Sequence, residues 1–240
     1  MVMDDETLSE EELAEKLAAI EEMLADDPDA AVEALDALGL APEDSTDRYL
    51  RAAAIWLSNG AEEAEPLLKG LIVEDPSFAD AHYALAGVYE DLGEPVLSAR
   101  HMIAVLALDA AEDEESSAVG EAEEAKIVAA AEAALGSLPE ELCERLGNVA
   151  VVVETRPHWD IVVDGFDPRA LGMFEGPDDY GQRVLEIAPM TSRIVLYTAN
   201  LVISFSDPEE LEEEVRVTVL HEIGHYFGLD EDGVAELGLE

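Results

Sequence analysis

Near its C-terminus the chain reads His221-Glu222-Ile223-Gly224-His225. Two histidines four residues apart on a helix share one face, a turn apart. Their ring nitrogens can then reach one tetrahedral metal ion, and imidazole is an ordinary ligand for zinc. Glu222 follows the first of the pair. Its side chain is long enough to reach a water held by such an ion, whose pKa falls toward about 7. A carboxylate there can take the proton and pass it to a leaving amine. This spacing suits metal-assisted hydrolysis, with His221 and His225 as metal ligands and Glu222 as the catalytic base.

A catalytic zinc usually takes three protein ligands and keeps one position open. Gly224 removes bulk beside the site, and Gly228 lets the chain leave the helix and turn back. A residue shortly after that turn could reach the metal. Glu231 lies six residues after His225, and Asp230 and Asp232 flank it as alternatives. Tyr180, Tyr197 and His158 are candidates by type alone for steadying a tetrahedral intermediate.

The elements that must hold these residues differ between the two halves. Apolar residues recur at three and four from Leu8 to about Leu38, interrupted at Asp27-Pro28 and ended by Gly39 and Pro42. Leu71-Ile72-Val73-Glu74-Asp75-Pro76 is matched 34 residues later by Val105-Leu106-Ala107-Leu108-Asp109-Ala110, and Gly60 and Gly93 end helices at nearly the same spacing. The stretch from Ala79 to Asp109 resembles a tetratricopeptide repeat. Leu85, Ala86 and Tyr89 stand where that motif has its large, small and aromatic residues. Ser98 stands where the two helices must cross closely. Residues 46–75 read as a poorer copy. Ala111–Gly120, acidic with Ser and Gly, reads as a solvated linker.

Beyond it, residues 121–136 read as an Ala-rich helix. Val149–Val153 reads as a central strand and Ile161–Val163 as a weaker one. Leu171–Glu175 reads as an edge strand or extended loop, either a plain edge or one that could take a peptide as an added strand, and Arg193–Tyr197 as another strand. Asp207, Pro208 and Glu210 open a helix that runs to about Phe227. The expected architecture is therefore multidomain. An all-α helical-repeat domain covers residues 1–118 and an α+β domain covers residues 119–240.

Asp and Glu number 58 against 12 Lys and Arg, a formal net charge of -46 among 240 residues. With 49% hydrophobic residues such a chain still folds, but its charge repels itself unless salt screens it. We read this as adaptation to a salty environment. A nucleic-acid backbone or an anionic membrane would be repelled, so no nucleic acid and no membrane are expected as partners. A basic partner or cationic substrate would be attracted. Cys143 is the only cysteine, which excludes an intrachain disulfide; its helical setting suggests a buried structural thiol. No apolar run resembles a signal peptide or a membrane span, so a cytoplasmic protein is expected.

Residues from about 122 to 240 resemble the minimal zincin-like metallopeptidases of bacteria, small proteins with an H-E-x-x-H-x-x-G-x-x-D signature. The resemblance rests on Leu138–Leu142, Asn148–Glu154, Leu171–Gly176, Ile194–Tyr197 and above all Glu213–Leu229. It implies a zincin fold, a small mixed sheet packed on the active-site helix. It also implies zinc held by His221, His225 and residue 231, with Glu222 as base. The family pattern has Asp where this sequence has Glu231. No Met follows His225, the last being Met190, so the Met-turn of the related metzincins is absent. Two functions are expected. One is a zinc peptidase whose repeats bind a protein partner or substrate. The other is a protein-binding scaffold with a degenerate or regulatory metal-binding module.

Overall fold

The computed structural model describes residues 9–41, 44–116, 119–146, 149–176, 192–230 and 233. The chain divides into two compact units, Met1–Leu108 and Asp109–Glu240.

The first unit is helical. It contains α1 (Glu10–Asp26), α2 (Pro28–Leu38), α3 (Ser45–Asn59), α4 (Ala61–Glu74), α5 (Ala79–Asp91) and the start of α6 (Pro95–Ser116). Its boundaries follow from local chemistry. Asp27 ends α1 and its carboxylate caps α2 at Ala30 N. Gly39 takes the left-handed conformation that stops α2. Two clusters form the core. Ile20, Leu24, Leu35 and Leu50 join α1, α2 and α3; Leu68, Leu71, Leu85, Val88 and Tyr89 join α4 and α5. α3 and α5 begin at Ser45 and Ala79, and α4 and α6 at Ala61 and Pro95, an offset of 34 in both cases.

The stretch expected to be a linker is instead helical as far as Ser116, since α6 continues through it. Part of its acidity is not solvated. Asp113, within it, has a side chain only 13% exposed, and with the buried Asp109 just before it pairs with arginines of the second unit, to which both belong.

The second unit continues with α7 (Glu121–Gly136), α8 (Glu140–Leu146), β1 (Ala150–Glu154), α9 (Trp159–Val163), β2 (Gly172–Glu175), β3 (Arg193–Tyr197), α10 (Thr198–Ser204) and α11 (Pro208–Tyr226). The described strands form one mixed sheet in the order β1-β3-β2. β1 runs parallel to β3 and β2 antiparallel to it. β3 is therefore central, and β1, expected in that place, lies at one side. Ile161–Val163 is helical, not a strand. Asp160 accepts from Ile161 N in the first turn, and Val162 is fully buried. Side chains alternate along β3, and Ile194 and Leu196 face α7 and α11 in a core with Ile127, Val215, Val219 and Ile223.

Cys143, in the short helix α8, is exposed, so it is not the buried thiol expected. Among the described residues no helix is long and apolar enough to cross a membrane.

Candidate metal centre

α11 is built to hold its polar face in one place. Asp207 accepts from the N–H groups of Glu209 and Glu210, and Pro208 occupies a first-turn position whose N–H would have no partner. Leu211, Val215, Thr218, Val219, Glu222, Ile223 and Tyr226 are buried. Their spacing of three and four is the stripe that packs on α7 and the sheet. His221 and His225 sit at the margin of this stripe, half-buried.

The pair converges. His221 Nε2 and His225 Nε2 are 2.9 Å apart, with the rings edge to face at 4.6 Å between centroids. Two nitrogens bound to one tetrahedral zinc at about 2.0–2.1 Å stand about 3.3 Å apart. A few tenths of an ångström of opening would admit the ion. The donor set fits zinc in kind as well, because both atoms are imidazole nitrogens.

The end of α11 orients one of these ligands. Gly228 has φ of 86°, a left-handed conformation that costs glycine little. Leu229 N then donates to Gly224 O at 3.1 Å and Gly228 N to His225 O at 2.9 Å. This is a Schellman turn. It brings Leu229 O to 3.0 Å from His225 Nδ1. A carbonyl only accepts, so Nδ1 carries a proton, which leaves Nε2 as the nitrogen that a metal would take. Spacing alone revealed the two histidines, but only Gly228 hinted at this backbone oxygen.

Glu222, next along the helix, is 8% exposed. The other sequence candidates fare differently. Glu231 and Asp232 lie outside the described residues, as does Tyr180. Asp230 Oδ1 accepts from Gly233 N at 3.0 Å, which occupies one of its oxygens. Among the described residues, no group of three His, Cys, Asp or Glu forms a metal-binding cluster. His158 is exposed and its Nδ1 lies 2.5 Å from Asp160 Oδ1. Tyr197 is 1% exposed and packs on Phe166 at 6.0 Å. Strand alternation turns it away from the Ile194–Leu196 face. Burial, and then the carboxylates of Glu154, Glu175 and Glu222, push its hydroxyl pKa far up, so it stays protonated.

β2 accompanies the helix along the motif. A Cβ on Gly172 would overlap Thr218 Cγ2, one turn before Glu222. The Phe174 and Tyr226 rings lie 5.4 Å apart, and Tyr226 follows His225. Tyr197 N donates to Leu171 O, so residues 171, 173 and 175 bond to β3. By antiparallel alternation, the N–H and C=O of Gly172 and Phe174 face the outer edge of the sheet. Among the described residues no strand pairs with that edge.

Sequence reasoning missed the polar cluster that leads into β2. It comprises Asn200, Arg156, Arg169, Asp109 and Asp113. The signal was arginine scarcity: in a chain with 12 basic residues, a basic residue beside a strand end merits a search for its partner.

No curated protein matches the chain. Residues 146–239, which run from the end of α8 through β1, β2, β3 and the paired histidines of α11, match the family model of the zincin-like metallopeptidases.

Proposed function

We propose that the second unit is a zinc-dependent peptidase and that the helical unit binds a protein partner or substrate. The observation that carries this reading is the pairing of His221 Nε2 with His225 Nε2 at 2.9 Å, with a buried carboxylate, Glu222, on the residue after the first ligand.

Zinc, when bound, supplies Lewis acidity, acidifying water toward a pKa of about 7 and polarising the scissile carbonyl. His221 and His225 would hold it through Nε2, and Leu229 O keeps His225 in the ligating tautomer. Glu231 is the third ligand we assign, because the Schellman turn returns the chain toward the pair just before it. Glu222 takes the proton of the attacking water and returns it to the departing amine. Metal storage or structure would have no use for this base.

The substrate we assign is an extended peptide that adds to the outer edge of β2. Gly172 and Phe174 supply the backbone groups, and the acidic chain favours cationic side chains. For the helical unit, the 34-residue offset of its helix pairs supports a tetratricopeptide-like arrangement. So does the burial of Leu85, Ala86, Tyr89 and Ser98.

Protein purified without chelator and incubated with zinc is expected to hold close to one zinc per chain by elemental analysis. Less than roughly a tenth would sink the enzyme reading, since a catalytic site must hold its metal. Glu222→Gln is expected to keep the zinc and lose cleavage of casein or a peptide library by at least about a hundredfold. Equal cleavage by the variant would place the activity elsewhere.

A further inference from the structure

Asn200 opens a path from α10 to the edge strand. Its Nδ2 donates to Ala170 O at 2.6 Å and to Pro168 O at 3.0 Å. Both hydrogens of one amide are thus spent on the loop that enters β2. Its Oδ1 accepts from Arg156 Nη1 at 2.6 Å. These partners fix the amide's orientation, because carbonyls need the NH2 group and a guanidinium needs the oxygen. Asn200 is 4% exposed.

The next shell is charged and partly buried. Arg156 is bidentate to Asp113, at 2.5 and 2.9 Å, and its Nη1 lies 3.3 Å from Asp109. Arg169, inside the same loop, is bidentate to Asp109 at 2.9 and 3.0 Å. The side chains of Arg156 and Asp109 are under a tenth exposed. Two cations thus meet two anions. The loop is held by Asn200 through its carbonyls and by Asp109 through Arg169. One residue later, Leu171 O accepts from Tyr197 N and the ladder of β2 begins.

We propose that Asn200 is a positioning residue that sets the register and stiffness of β2 as a peptide-binding edge. The proposal rests on the peptidase reading for its substrate, but not for the clamp itself. A peptide that pairs with Gly172 and Phe174 gains only if those groups are already fixed when it arrives. A loosened entry loop would let the strand fray beside α11, leaving the metal pair and Glu222 in place. The effect belongs in substrate binding and not in the chemical step.

The test is Asn200→Asp in the full chain. The change keeps the oxygen facing Arg156 and removes both donors to the loop. Hydrogen exchange read by mass spectrometry is expected to quicken at least about tenfold across Leu171–Glu175, with α7 and α11 unchanged. Zinc affinity, measured against a chromogenic chelator, should stay within about twofold. With a cationic peptide substrate, KM should rise about fivefold or more at nearly constant kcat. Unchanged exchange in β2, or acceleration spread evenly over the unit, would overturn the clamp. If Asn200→Asp does not fold, Asp113→Asn weakens the same path one step further out. It must then give the same local pattern at smaller amplitude. Quickened exchange with no cleavage even by the unaltered protein would uphold the clamp and fail the peptidase reading.

Discussion

At Gly172 the chain has room for a hydrogen and for little more. A Cβ there would overlap the Thr218 methyl and lie 3.1 Å from Val195 O, so α11 and β2 approach as closely as they do because this residue has no side chain. Gly172→Ala must push the helix off the strand. It is expected to cost about 1–3 kcal/mol and to lower Tm by several degrees. An unchanged melting curve would contradict the close crossing. At this scale the metal pair was legible, because a spacing of four on a helix fixes geometry whatever lies around it. Asp207 and Gly228 were legible for the same reason, each acting within one turn. Asn200, Gly172 and the Leu229 carbonyl were not. Their partners lie on other segments or on the backbone, where residue type carries no trace of them.

The seam between α5 and α6 holds two histidines. His82 Nδ1 and His101 Nδ1 are 2.9 Å apart, and His82 Nε2 lies 3.2 Å from Pro76 O. His101 stacks on Tyr89, above which Lys69 lies. Burial holds both rings below the ordinary imidazole range. His101 falls to about 4, with His82, Arg100 and Lys69 adding repulsion. The unfolded chain therefore binds protons between about pH 6.5 and 4 that the folded chain does not. Stability is full above that window and falls as the pH drops through it. From pH 7 to 5 the loss due to His101 is expected to be on the order of 2 kcal/mol. His101→Gln should flatten the difference in denaturation midpoint between those two pH values, and an equal slope in both proteins would refute it. Element types were largely readable here, because helices of several turns show their period. Ile161–Val163 misled because three β-branched residues are too few to show one, and the first-turn carboxylate of Asp160 with the burial of Val162 decided for helix. Strand order was not readable at all: β1 and β3 are equally apolar, and only the position of β2 makes β3 central.

The acidity of the whole chain dominates its response to solvent. Arg48, Arg51, Lys69, Arg156, Arg169, Arg193 and Arg216 all pair with carboxylates. With 58 acidic residues in all, most of the negative charge has no cation beside it. Raising monovalent salt from 0.1 to 1 M shortens the screening length from about 10 to about 3 Å. Tm is expected to climb by about 5 °C or more over that range; a flat profile would remove the case for salt adaptation. Composition showed this charge at once, but not its distribution. It read Asp113 as part of a solvated stretch, whereas that side chain is only 13% exposed.

Those two aspartates also bear on how such a protein can be cut and recombined. The matched family region begins at residue 146, and composition suggests a seam near residue 118. Arg156 nonetheless takes its counter-charges from the last turns of α6. A graft made at either point would leave this enclosed guanidinium without either carboxylate, a loss of roughly 3–5 kcal/mol. The transferable piece of this chain is therefore longer than the matched region, and it starts inside a helix.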